Sequence, residues 1–408
     1  MGSNRLMFKV ETMKIINRAY ITEQYNNTNS TMKRIITILA AILFAVTFSL
    51  KSCNCQPQTE RIEQTINQLV FENEIPGLNL SIIDSLGNQS NFSAGYADQE
   101  TKTDLTQNHI MFSGSIGKTY AVAVLFQLIE EGKIDLKQKL ITYFLDLGWL
   151  KQLPNIEDIT IEMLLRHTSG LPRYISEPQI WETVKTNPDK IWSYKDRLSV
   201  LFNSKPIHKP GRAWSYSDTN YILLGMLIEE ITGKNYYDLV NERVIAPMGL
   251  HATYPANKRK IENIAVGYSE FKTLFDKTSK VIFDGKYCFN PQMEWTGGGF
   301  VCSTPDLAKW AKIFYEHKLF SEESFSEIVT VNPNGTNVMP MASYGTGSFI
   351  YETSLGKAYG HTGFVPGFVS IFAYYPKQKK AVAMQINCDY AKRKMNLIEY
   401  LNRITAIK

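Results

Sequence analysis

The chain has 408 residues, 44% hydrophobic and 12% aromatic, with 44 Lys and Arg against 39 Asp and Glu for a formal net charge of +5. That is too apolar for a disordered protein and too varied for a fibrous one. The whole excess lies in residues 1–55, with seven basic and two acidic side chains; residues 56–408 carry 37 of each sign and have no bulk attraction for nucleic acid. In chain order, Met32-Lys33-Arg34 followed by an uncharged run to Leu50 has the plan of an export signal. Residues 1–31 form a leader outside that plan, which makes Met32 the expected start. A polar tether from residue 56 leads into helical periodicity over 61–71, with Ile62, Ile66, Leu69 and Val70 on one face. Strands are predicted over 78–85 and 88–96 around a Leu-Gly-Asn turn. The middle is mostly helical, with apolar stripes over 119–131, 161–165, 195–202 and 220–232. After about residue 295 the pattern turns strand-rich, over 298–302, 344–351, 368–375 and 381–386, before a last amphipathic helix over 391–404. Strands at both ends with helices between them predict an α/β fold of the α+β type: one antiparallel sheet built from both chain ends, flanked by helices, with a mostly helical subdomain inserted.

Leu50 and Ser52 around Cys53 resemble a bacterial lipobox, although Lys51 departs from it. Residues 32–55 are therefore expected to be a signal peptide with Cys53 as the lipidated residue, and an uncleaved signal anchor is the alternative. Either places the protein in the cell envelope or periplasm, attached to the membrane. Cys302 and Cys388 lie in apolar runs and are expected to be buried thiols. Four cysteines beyond Cys53 at wide spacing do not form a disulfide framework, and no metal motif or cofactor site is apparent in the six isolated histidines.

The chemistry-bearing stretch is Phe112-Ser113-Gly114-Ser115-Ile116-Gly117-Lys118-Thr119, at the head of the first long middle helix. Three residues apart on a helix, the Ser115 hydroxyl and the Lys118 amine become neighbours. Amides at a helix start can hold an oxyanion, and the helix dipole together with burial would favour a neutral, basic lysine. Ser-x-x-Lys also occurs at Ser30, Ser269 and Ser354, so placement selects Ser115. A phosphate loop is excluded because Phe112 stands where that loop needs glycine. Ser113 likewise breaks the Gly-x-Ser-x-Gly elbow.

Trp214-Ser215-Tyr216-Ser217-Asp218 precedes an apolar helix, with Tyr216 standing 101 residues after Ser115; Gly360-His361-Thr362-Gly363 lies between predicted strands, with His361 a further 145 residues on. Together with His167-Thr168-Ser169-Gly170-Leu171 and the glycines 297–299 before Ser303-Thr304-Pro305-Asp306, these motifs resemble the serine β-lactamase and penicillin-binding-protein superfamily. Their order is most similar to its class C β-lactamase and D-alanyl-D-alanine carboxypeptidase branch, and the likeness covers about residues 60 to 405.

The resemblance implies a β-lactamase-like domain over 56–408, with Ser115 as acylated nucleophile, Lys118 as base and Tyr216 sharing the proton transfer. It places Asp218, His361, Thr362, Gly363 and Phe364 along the substrate, with the amides of Ser115 and Phe364 as oxyanion hole. It also implies a small-molecule or peptide substrate; the neutral charge balance of residues 56–408 argues against a nucleic-acid partner, and no cofactor is expected. Asp218 stands where penicillin-recognising members usually have asparagine, and His361 where many lactamases have lysine. Both changes favour a peptidase or esterase over an efficient β-lactamase. Plainer roles stay open for the same residues: Ser115 and Asp218 as helix caps, Tyr216 as a core aromatic, His361 as a turn residue. His167 is expected to order a tight loop, and Trp295 to line the pocket or pack.

Overall fold

The computed structural model describes residues 57–144, 146–271, 279–391 and 395–407. The leader, the export signal and Cys53 fall outside the described residues.

Helix α1 (Gln58–Glu72) buries Ile62, Ile66 and Leu69, one stripe at helical spacing. Strands β1 (Gly77–Ile83) and β2 (Gln89–Asp98) pair antiparallel across a turn in which the Asp84 carboxylate accepts from the Leu86 and Asn88 amides. After the short β3 (Thr103–Asp104) and β4 (Met111–Phe112) comes α2 (Lys118–Glu130), in which every side chain from Lys118 to Phe126 is buried. A helix apolar on all sides belongs inside a core. Then come α3 (Ile161–Leu165), α4 (Pro178–Thr186), α5 (Tyr194–Leu198), α6 (Asp218–Thr232) and α7 (Tyr236–Val240), of which α6 and α7 pack against α2.

Short strands β5 (Thr253–Pro255), β6 (Ile282–Phe283), β7 (Lys286–Tyr287) and β8 (Phe300–Cys302) follow. Next come α8 (Thr304–Tyr315) and α9 (Glu322–Val329). The chain ends with β9 (Ala342–Tyr344), β10 (Phe349–Thr353), β11 (Gly356–Val365), β12 (Phe368–Tyr375), β13 (Lys380–Ile386) and α10 (Leu397–Thr405).

Eight strands form one sheet in the order β3-β2-β1-β13-β12-β11-β10-β9, and every pairing is antiparallel. Leu78 faces Ile386 across the β1–β13 seam, which joins the first strand to the last. Side chains alternate between two apolar layers. Val369, Ile371, Val382 and Met384 pack with Ile62, Ile66, Leu401 and Ile404 of the terminal helices. Phe372, Tyr374, Ala381 and Ala383 face the other way, into the core built around α2 and α8. The expected sheet from both chain ends, with helices inserted, is the observed architecture. Cys302 and Cys388 are buried, as expected.

Four local expectations are corrected. Residues 360–363 do not lie between strands but inside β11. Glycine there marks close approach, since a Cβ on Gly363 would sit 1.8 Å from the Ser113 carbonyl oxygen. The single strand expected over 344–351 is the hairpin of β9 and β10. The helix expected over 195–202 ends at Leu198 and tightens into a single turn, Ser199–Leu201. The strand-rich end also holds α8, whose start was readable: the Ser303 hydroxyl caps the Asp306 amide, with Pro305 in the first turn.

Candidate active site

β4 and β5 flank β8, with Met111 opposite Cys302 and Phe112 opposite Val301. This pairing brings the chain before Ser115 against the chain after the glycine run 297–299. Ser113 donates both its amide and its hydroxyl to the Phe300 carbonyl, at 3.0 Å each. Gly114 then turns through φ +53° with its Cα against β11; a Cβ there would lie 2.5 Å from the Phe364 amide nitrogen. Only glycine allows both the turn and the contact. Ser115 sits in the tight turn Gly114–Gly117, which runs directly into α2.

Lys118 points back under this turn and is fully buried. Its Nζ donates to the Ser115 Oγ at 3.1 Å, the Asp218 Oδ1 at 2.7 Å and the Gly297 carbonyl at 2.5 Å. Three acceptors match the three N–H bonds of an ammonium. Burial works against that charge, but the Asp218 carboxylate outweighs it and holds the Lys118 pKa above its ordinary value. The expected neutral lysine is therefore corrected: in the resting site Lys118 is protonated and donates to Ser115.

Asp218 explains the difference. Ser217 is the N-cap of α6, and Asp218 is its first helical residue, buried beside the cleft. Its Oδ2 accepts from Arg173 Nε at 3.0 Å and Nη2 at 2.6 Å, so both oxygens are committed to cations. Burial opposes the carboxylate charge, yet Lys118 and Arg173 hold its pKa well below the usual range. Asp218 is thus a counter-ion rather than a helix cap.

Tyr216 is half-buried, with its ring centroid 5.1 Å from Lys118 Nζ and 5.5 Å from the Arg173 guanidinium carbon. Its hydroxyl has no hydrogen bond of good geometry among the described residues. Burial raises the phenol's pKa and the Lys118 charge draws it down, leaving it above its ordinary value. His167 holds this segment as expected. Its carbonyl accepts the Ser215 amide, its Nδ1 accepts the Ser217 amide at 3.2 Å, and its ring lies tilted against Tyr216 with the centroids 4.2 Å apart.

His361, on β11, is buried, with Nδ1 2.6 Å from the Thr362 carbonyl and Nε2 3.4 Å from the Tyr344 hydroxyl. Burial and the Lys118 charge push its pKa down to about 3, so the imidazole is neutral around pH 7. Ser115, Tyr216, Asp218, His361, Thr362 and Phe364 all line one cleft of about 780 Å³. Gly363 lies behind them against Ser113. Among the residues of this wall that sequence reasoning missed are Arg173 and Glu294. The single available signal for Arg173 was Asp218 itself, a buried acid at a helix start that needs a cation.

A model of the family described as Beta-lactamase matches residues 62–406. The chain belongs to the Beta-lactamase family. This is a hydrolase family, and its fold is the one described above. The chain is 28% identical over 310 residues to penicillin-binding protein 4* of Bacillus subtilis, covering 71% of this chain and 63% of that protein. It is 25% identical over 354 residues to protein flp of Staphylococcus aureus, covering 84% of this chain and 65% of the relative. The chain thus spans less than two thirds of these relatives' length. Among solved structures, a D-stereospecific amidohydrolase from Streptomyces sp. superposes with a TM-score of 0.72 at 25% identity, over 82% of this chain and 95% of that one. A D-amino acid amidase from Ochrobactrum anthropi shares the fold with a TM-score of 0.73 at 22% identity, over 85% and 97%.

Proposed function

We propose that this Beta-lactamase-family protein is an exported serine hydrolase that forms an acyl-enzyme through Ser115 on an amide or ester, with a cell-wall-type D-amino-acid peptide as the natural substrate. The observation that carries the reading is the 3.1 Å contact of Lys118 Nζ with Ser115 Oγ at the wall of an aromatic cleft. The D-stereospecific amidohydrolase of the same fold supports the substrate class. The positive, then apolar, segment from Met32 supports export to the cell envelope, with lipid on Cys53.

In the competent form the Lys118–Tyr216 pair has lost one proton. Lys118, held by three acceptors, keeps its own, so the phenolate oxygen of Tyr216 takes the Ser115 proton as Oγ attacks the substrate carbonyl carbon. The amides of Ser115 and Phe364 hold the oxyanion. The C–N or C–O bond then breaks, the leaving group takes the proton from Tyr216, and water frees the acyl group in the reverse sense. Both Lys118 and Tyr216 have raised proton affinity, so acylation rises with pH into the alkaline range.

Labelling with a fluorescent penicillin and a fluorophosphonate, followed by peptide mapping, tests the reading. An adduct on Ser115 that disappears in Ser115→Ala is expected; folded protein without label contradicts it. Turnover of nitrocefin, a short-chain ester and a D-Ala-D-Ala peptide assigns the type. The neutral His361 favours the second reading, an esterase with negligible β-lactamase activity, because it offers no fixed charge to a substrate carboxylate.

A further inference from the structure

Glu294 lies on the wall of the Ser115 cleft, and the acyl-transfer steps do not use it. Its side chain is half-buried and, among the described residues, has neither a hydrogen-bond nor an ion-pair partner. Its Oε2 lies 3.7 Å from the point where a Cβ on Gly297 would sit, and the Asp218 Oδ1 lies 4.0 Å from that same point. The two carboxylates therefore share one corner beside Lys118.

The backbone is anchored to keep Glu294 there. Arg197, 1% exposed, has no carboxylate partner among the described residues and instead donates to four carbonyls: Gln292 at 2.6 Å, Met293 at 2.9 Å, Trp192 at 2.8 Å and Ser193 at 2.9 Å. The Tyr174 hydroxyl adds a bond to the Met293 carbonyl at 2.8 Å. Directly after Glu294, Trp295 adopts φ +41°, a conformation that a bulky residue keeps only where its surroundings enforce it. Its ring packs beneath the Arg197 guanidinium and against Tyr194 and Tyr236. A carboxylate held this firmly at a cleft wall, with no protein partner among the described residues, is placed to meet a ligand.

The cleft's charge indicates which ligand. Among the described residues, its lining holds Glu182, Asp218, Glu270, Glu294 and Asp389 against one permanently charged basic side chain, Arg173, whose guanidinium is bound to Asp218. The remaining wall is largely aromatic, including Trp181, Trp214 and Phe349. Such a surface suits a cation on an apolar body.

We propose that Glu294 receives the ammonium group of the substrate, so that the enzyme selects amides, esters or peptides of apolar amino acids whose amino group is free. This rests on acyl transfer at Ser115. Burial, and the charge of Asp218 beside it, raise the Glu294 pKa to about 7 against the pull of Lys118, Arg173 and Arg197; a bound ammonium would complete the ionised form.

The test compares D-phenylalanine p-nitroanilide with its N-acetyl derivative, in wild type, Glu294→Gln and Glu294→Asp, each checked for fluorophosphonate labelling. Wild type should favour the free amine by about 10- to 100-fold in kcat/KM, expressed mainly in KM. Glu294→Gln should bring that ratio near one, and Glu294→Asp should keep part of it; if the Gln variant does not fold, the Asp ratio decides. No preference in wild type, a preference retained in full by Glu294→Gln, or turnover of neither substrate by protein that still labels would each overturn the inference. So would an equal fall in kcat on both substrates with KM unchanged, which would make Glu294 a proton-transfer group. Loss of labelling in folded wild type would instead strike the serine-hydrolase reading.

Discussion

Asp218 and Glu294 are two carboxylates in one corner of one cleft, and their surroundings push them in opposite directions. Asp218 holds Lys118 and Arg173 and titrates well below the usual range, whereas Glu294 has no ion pair among the described residues and titrates near 7. Neighbouring acids separated in this way mark a division of labour. Asp218 fixes the charge state of the machinery, and Glu294 is left to meet what enters.

Removing the group Asp218 controls should have the largest effect. Lys118→Ala is expected to slow acylation by about 100- to 10,000-fold, read from the rate of fluorophosphonate labelling. Asp218→Ala leaves a buried ammonium and a guanidinium without their counter-ion, and should cost about 3–5 kcal/mol in denaturant unfolding. A loss within about 0.5 kcal/mol would show that the triad is not a structural clamp.

Asp218→Asn keeps the shape and sharpens the comparison. With the counter-charge gone, burial is opposed chiefly by Tyr216 alone and lowers the proton affinity of Lys118. The alkaline limb of the acylation–pH profile should then move to lower pH, and an unmoved limb would break the link between the two residues.

The smallest effect concerns stability. A carboxyl whose folded pKa is raised loses stability as pH climbs from its unfolded value, about 4.3, to its folded value, here about 7. Asp218, with a depressed value, behaves in reverse and is lost only at low pH. Glu294→Gln should therefore raise the Tm of the ligand-free protein above pH 7, with a gain that shrinks toward pH 4. A gain independent of pH would place the cause elsewhere.

The contrast also shows what a sequence can and cannot display. Ser115 and Lys118 were legible because three residues along one turn bring them together, a local fact. Tyr216 and His361 became legible through a family resemblance, and the sheet from both chain ends through alternating apolar strands. The charge on Lys118 was not legible: it is set by Asp218, 100 residues away, and in turn by Arg173. Glu294 carries no motif, since its meaning depends on a backbone fixed by Arg197 and on having no partner among the described residues. Glycines 360 and 363 suggested a turn because glycine serves both turns and close contacts, and only the packing of β11 on Ser113 separates the two.

The central claim is that Ser115 becomes acylated by substrate in this cleft. Acid-quenching the enzyme during turnover of a slow amino-acid ester, then measuring intact and peptide masses, tests it directly. The expected result is a mass gain equal to the acyl group, confined to the peptide containing Ser115 and absent in Ser115→Ala. Full turnover with no covalent species, or an acyl group on another residue, would contradict it.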